Sequence, residues 1–198
     1  MTARLIGVIG LDGSGKTTLA RSLVEGFCQA GQRAAYLHFW PSLPSLPTRG
    51  GPRSSRGPRS LPQWKAYALY AITAFMIQFR LRPLLRENDY VVCDRYLYDL
   101  AAYLRLRGYP KLARRFLGGV HPDLVLWLKV DPQIVHTRKP LEYSLEVYYA
   151  WAVIYEELMP ELTLLKICIA PVNATGSFDE TLSQAWNVLQ TANFWKVR

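Results

Sequence analysis

Residues Gly10-Leu11-Asp12-Gly13-Ser14-Gly15-Lys16-Thr17 fit the pattern G-x-x-x-x-G-K-[ST] without a mismatch, and a second threonine, Thr18, follows. The pattern is demanding because it works in one setting: a buried strand, a glycine-rich turn and the start of a helix. Both flanks supply it. Leu5-Ile6-Gly7-Val8-Ile9 is a short apolar run suited to a parallel strand covered on both faces. Leu19, Leu23 and Phe27 then recur every four residues, which marks one face of a helix. Gly10, Gly13 and Gly15, with Ser14 between them, let backbone N–H groups converge on phosphate oxygens, and the helix N-terminus adds a favourable dipole. Lys16 is placed to reach the β- and γ-phosphates of a nucleoside triphosphate such as ATP, and the Thr17 hydroxyl to ligate Mg²⁺. Asp12 is a carboxylate inside this loop. A triphosphate would repel it, so it is expected to point away from the donor and face the acceptor substrate.

With 198 residues, half of them apolar and a fifth charged, the chain is expected to form one globular domain. Its formal charge of +9 suits an anionic ligand and leaves nucleic acid or a membrane surface open as partners. Cys28, Cys93 and Cys168 are scattered, with neither metal-ligand spacing nor a disulfide framework, which favours a reducing cytoplasm. No leader is expected from the short N-terminal apolar run, and the stretch from Ala66 to Ile77 is too short to span a bilayer.

Strands are expected at Arg33–Trp40, Tyr90–Asp94, Leu124–Val130 and Lys166–Ile169, besides the one before the glycine loop. Helical patterns cover Trp64–Leu85 (kinked or restarted at Pro83), roughly 97–117, Pro132–Arg138, about 141–158 and Phe178–Ala192. Strands alternating with helices predict an α/β fold: a five-stranded parallel sheet flanked by helices in three layers. Residues 41–62 differ from the rest. They hold six prolines, three glycines, five serines and Arg49, Arg53, Arg56 and Arg59, without an acidic residue. Such a composition buries too little apolar surface to offset its ordering entropy, so a flexible insertion is expected there. It is either solvated or closes over an anionic acceptor or acidic partner. Trp64, Tyr67, Tyr70 and Phe75 are expected in the core. His38, His121 and His136 are too far apart for a metal site and are expected to be structural or at the surface. The arginines between 105 and 115 are read as a solvated helix face.

A carboxylate at the end of an apolar strand, here Asp94, is where a phosphate-loop protein places its second magnesium-site group. Arg95 beside it offers a planar fork for a phosphate. In Gly10–Thr18, in Asp94-Arg95-Tyr96, in Pro122-Asp123 leading through Leu124–Val130 to Asp131-Pro132 and Arg138, and in Asn173-Ala174-Thr175, the sequence resembles the thymidylate kinases. These are nucleoside monophosphate kinases of the P-loop NTPase fold. The resemblance implies that Lys16 and the loop amides hold ATP, that Thr17 and Asp94 hold Mg²⁺, and that Asn173 and Ala174 lie near the adenine. It further implies that Asp12 orients the acceptor, that Arg95 binds its phosphate, and that Arg138, with Lys139, closes a short lid near 138–145. Homodimerisation stays open.

The chain departs from the family on the acceptor side. Where the family has an Arg-Glu-Pro-type stretch, this chain has His38-Phe39-Trp40-Pro41. After Asp94-Arg95-Tyr96 it runs Leu97-Tyr98-Asp99-Leu100-Ala101-Ala102-Tyr103, without the glutamine that reads thymine. Tyr98, Asp99, Trp40 and the arginines at 80–86 are candidate contacts for another acceptor. Three readings follow: an ATP-dependent kinase acting on dTMP or a related phosphorylated acceptor, including a sugar- or glycan-related one; a nucleotide-binding protein without turnover; and a nucleic-acid-binding ATPase.

Overall fold

A computed structural model describes residues 3–39, 63–140 and 142–194. The insertion expected at 41–62 lies outside the described residues, as does Trp40. Five strands, β1 (Arg4–Gly10), β2 (Ala34–His38), β3 (Tyr90–Asp94), β4 (Leu124–Lys129) and β5 (Ile169–Asn173), form one sheet in the order β2-β3-β1-β4-β5. Every pairing is parallel. The three central strands are buried along nearly their whole length, which is why they read as unbroken apolar runs.

Alternate residues of these strands feed two cores. On one face Ile6, Val8, Val92, Leu124, Leu126 and Leu128 pack against α1 (Lys16–Gln29) and α8 (Phe178–Thr191). On the other, Leu5, Ile9, Val91, Cys93, Val125 and Trp127 meet α4 (Leu97–Leu106), α5 (Pro110–Phe116) and α7 (Leu145–Leu164). The expected three-layer α/β fold is therefore present. Strand β1 lies at its centre and delivers the glycine loop at the carboxyl edge of the sheet.

Several boundaries move, each for a physical reason. The helix expected over 64–85 is α2 (Gln63–Met76), a wide π-helical turn (Ile77–Leu81) and α3 (Arg82–Glu87). Pro83 falls in the first turn of α3, directly after the wide turn, where a residue that cannot donate marks the change of helical winding. The aromatic face assigned to the core is turned outward at Trp64 and Phe75, which are 67% and 58% exposed. Helix α7 starts later than 141 and runs past 158, through Pro160, because Leu162 still has a wholly buried place to fill. Lys166 then takes a left-handed conformation and the Ile167 N–H closes back on the Leu162 carbonyl, so residues expected in the last strand end the helix instead. Strand β5 begins at Ile169 and accepts Pro171 because it is an edge strand with one neighbour.

Candidate active site

The glycine loop adopts the conformation its residue types demand. Gly10, Gly13 and Gly15 have φ of 146°, 89° and 94°. A Cβ at Gly10 would stand 2.7 Å from the Leu128 carbonyl oxygen, and one at Gly13 would press on Val135 and the Lys139 stem at 3.2 and 3.3 Å. The loop therefore needs glycine for close approach as well as for backbone freedom. Helix α6 (Pro132–Arg138), which carries Val135, is packed directly over it.

Lys16 opens α1 and is 4% exposed. Its ammonium donates to the carbonyls of Gly10 at 2.8 Å and Leu11 at 2.6 Å and lies 3.6 Å from the Asp12 carboxylate. Asp12 is also hydrogen-bonded and ion-paired to Arg95. One loop carboxylate thus joins the loop lysine to the arginine that follows β3. Burial pushes the Asp12 carboxyl up, but the Lys16 and Arg95 charges outweigh it and hold the group below the ordinary carboxylate value. Burial and the Arg95 charge in turn push the Lys16 pKa down. Arg95 itself has φ of 70°, the left-handed region that a non-glycine residue rarely occupies, with its N–H held by the Val8 carbonyl at 3.0 Å.

Asp94 ends β3 wholly buried. Its Oδ2 accepts hydrogen bonds from the Thr17 hydroxyl at 2.7 Å and the Tyr36 hydroxyl at 2.8 Å, and lies 2.8 Å from His38 Nδ1. Burial raises the Asp94 pKa; the contacts from Thr17, His38 and Tyr36 lower it further than burial raises it, so the group is a carboxylate at neutral pH. Asp94 Oδ1 is buried without a partner among the described residues. A hydroxyl oxygen beside an ionised carboxylate with an unused oxygen is a donor set that fits Mg²⁺, which takes one or two protein oxygens and completes its shell with phosphate and water.

Three further placements concern the predicted site. Arg138, at the end of α6, donates to the Gly13 carbonyl at 3.4 Å and so stands at the loop; Lys139 pairs with Glu142 at 3.1 Å. Thr18 is exposed beside Thr17 at the start of α1, and the Ser14 hydroxyl is buried in the loop with no partner among the described residues. A cleft of about 550 Å³ opens from Leu11 between α7 and the ends of β4 and β5, lined among others by Asn173 and Thr175. Ala174 lies outside it. Its side chain is in the core with α1 and α8, and its N–H donates to the Lys129 carbonyl at 2.8 Å.

Some candidates move to other roles. Tyr98 and Asp99, read as acceptor contacts, are wholly buried. Asp99 caps α4 by accepting the Tyr96 N–H at 2.9 Å, and Tyr98 pairs with His121 at 3.1 Å. Arg105, read as solvated, forms two bonds to Glu161 at 2.8 and 2.7 Å. After Ala102-Tyr103 comes Leu104, wholly buried, so α4 presents no side-chain amide there. Conversely, Tyr36 and His38 reach the Asp94 carboxylate, a role the sequence reading did not give them. The signal was present: they sit two residues apart, hence on one face of β2, and His38 pairs in register with Asp94. Tyr155 on α7 was also missed; it bonds to both Asp99 and the loop.

Fold and site together define a P-loop phosphotransferase that works on a nucleoside triphosphate. A family model described as thymidylate kinase matches residues 8–146. The chain belongs to the thymidylate kinase family, and it is an ATP-dependent kinase. A thymidylate kinase from Synechococcus sp. (strain RCC307) is 32% identical over 159 residues, 70% of this chain and 72% of the relative. One from Legionella pneumophila (strain Paris) is 24% identical over 96% of this chain and 95% of its own. Among solved structures, thymidylate kinases from Candida albicans and Ehrlichia chaffeensis superpose with TM-scores of 0.66 and 0.65 at 20% and 18% identity. They cover 97% and 96% of this chain, and 93% and 100% of theirs is covered. These two share its fold. Among the described residues no helix is long and apolar enough to cross a membrane. A binding protein without turnover and a glycan-related kinase are not favoured by these relationships.

Proposed function

We propose that the chain transfers the γ-phosphoryl group of ATP to the phosphate of dTMP, giving dTDP and ADP, within one kinase domain whose lid is the segment around Arg138–Leu145. The observation that carries this reading is the bridge Lys16–Asp12–Arg95, which puts a triphosphate-binding lysine and a phosphate-binding fork on two sides of one carboxylate. Lys16 and the loop N–H groups hold the donor phosphates. Arg95 grips the acceptor phosphate, and Asp12 fixes the direction of that guanidinium. An acceptor phosphate oxygen attacks the γ-phosphorus as the bond to the β–γ bridging oxygen breaks, and the electron pair leaves with ADP. Arg138, beside Gly13, stabilises charge on the transferring oxygens. Mg²⁺, held by Thr17 and Asp94, would supply charge neutralisation at the phosphates. Asn173, which lines the cleft beside the loop, borders the nucleoside end of ATP. Positioning and electrostatics suffice, without a covalent intermediate.

The test is ADP release from Mg-ATP with dTMP, dUMP, other nucleoside monophosphates and sugar phosphates as acceptors. Release that depends on dTMP supports the reading. Release with another acceptor but not dTMP replaces dTMP while retaining the kinase, and no release with any acceptor refutes the kinase reading.

A further inference from the structure

Gly10, the hinge between β1 and the phosphate loop, is held at both of its backbone groups by residues far away in the chain. Its N–H donates to Asp99 Oδ1 at 3.2 Å, and its carbonyl accepts from the Tyr155 hydroxyl at 2.9 Å as well as from the Lys16 ammonium. Tyr155 lies 2.6 Å from the same Asp99 oxygen. Asp99 and Tyr155 are wholly buried. A phenol has a single proton, so two acceptors within its reach cannot both receive it at once. The two arrangements are Tyr155 donating to an ionised Asp99, or a protonated Asp99 donating to Tyr155, which donates on to Gly10. In the first, Gly10 is held at its N–H by an Asp99 that Tyr155 steadies; in the second, Tyr155 holds the Gly10 carbonyl as well. Capping α4 uses only Oδ2 of Asp99, through the Tyr96 N–H, so the bonds made by Oδ1 are additional to that local role.

Resting on the kinase reading above, we propose that Asp99 and Tyr155 are positioning residues for phosphoryl transfer, a buried clamp on Gly10 that sets where the loop amides and Lys16 meet the donor phosphates. Gly10 has φ of 146° and no side chain to wedge it, so without the clamp the loop entrance is held by its strand neighbours and by Lys16, the residue that must reach the phosphates. Lys16 shares the same carbonyl. A shift of that oxygen therefore moves the ammonium that must reach phosphate.

The test uses the full chain and two probes: inorganic tripolyphosphate, which engages the loop alone, and adenosine, which carries no phosphate. Tyr155→Phe keeps the ring and removes the hydroxyl. It is expected to weaken tripolyphosphate binding about tenfold, the effect of losing a hydrogen bond in a charged cluster, while adenosine binding changes less than about twofold. The kcat should fall more than the KM for acceptor rises. Asp99→Asn, judged by the same ratio, keeps the size of the side chain, so the question remains open to measurement if one variant fails to fold. Because the two residues act on one glycine, the double variant should bind tripolyphosphate no more than about twofold worse than the poorer single variant. Folded variants that keep wild-type tripolyphosphate affinity overturn the clamp, as does equal loss of both probes, which a merely structural role would cause. A wild-type chain that binds no tripolyphosphate overturns the loop reading itself, and the clamp with it.

Discussion

Replacing Asp12 by alanine separates the two halves of the site. The carboxylate lies 3.6 Å from Lys16 and is ion-paired to Arg95, with side-chain exposures of 4% for Lys16, 15% for Asp12 and 16% for Arg95. Removing it leaves two partly desolvated cations facing one another. Deleting one partner of a buried ion pair costs about 3–5 kcal/mol, and the residual exposure argues for the lower end, about 3 kcal/mol. For a chain of this size that is a fall in Tm of about 6–12 °C, measurable by calorimetry or fluorescence. The pH dependence has a definite sign. Asp12 is held below its ordinary value of 3.8, so its stabilisation is present above that value and is lost as pH falls through the depressed one. The gap between wild type and variant should persist at neutral pH and close on acidification below 3.8. Saturating tripolyphosphate should recover part of the lost stability, because its charge replaces the missing carboxylate. In the kinase assay, kcat/KM for the acceptor should fall about a hundredfold, while ATP affinity changes less than about threefold. Equal losses for donor and acceptor would refute the proposed orientation of Asp12, and an unchanged Tm would refute the ion-pair argument.

Other substitutions test other parts of the site. Lys16→Ala should lower kcat at least about a thousandfold while circular dichroism stays that of a folded chain; near wild-type turnover would exclude Lys16 from the reaction. Arg138→Ala should lower kcat about a hundredfold with little change in ATP KM, as expected for a cation acting at the transition state. Tyr36→Phe removes one of the donors on Asp94 Oδ2 and should raise the Mg²⁺ concentration for half-maximal activity severalfold, with the same shift seen in Mg²⁺-dependent ADP binding. Gly26→Ala would put a methyl group 2.4 Å from the Trp186 ring, and unfolding by urea should show a loss of about 1–3 kcal/mol without loss of specific activity.

The parts of the site that could be read from sequence are those whose chemistry fixes residue types at short range. Phosphate binding needs glycine, lysine and a hydroxyl within eight positions, so Gly10 to Thr17 announce themselves, and Asp94 follows because it ends an apolar run. Asp99 reads as a ligand contact because it is a carboxylate only four residues after an arginine expected to bind phosphate. Its partner Tyr155 is 56 residues away, and no local pattern links them. The same holds for Tyr36 and His38, whose meaning appears only when β2 docks beside β3. The shifted β5 has a different cause. Pro171 and the apolar Lys166–Ile169 stretch argue locally for an earlier strand, whereas the edge position of β5 tolerates the proline and the end of α7 consumes Lys166 and Ile167.

Tyr155 also makes α7 a lever. The helix runs from Leu145 to Leu164 and is fastened to the phosphate loop at its middle. Ten residues separate that fulcrum from the end nearest Arg138, an arm of about 15 Å at 1.5 Å per residue. A tilt of about 10° at the fulcrum carries the Leu145 end through about 2.6 Å, close to the length of a hydrogen bond. A displacement measured at the Leu145 end of α7 would therefore be several times larger than the one at Gly10 that accompanies it.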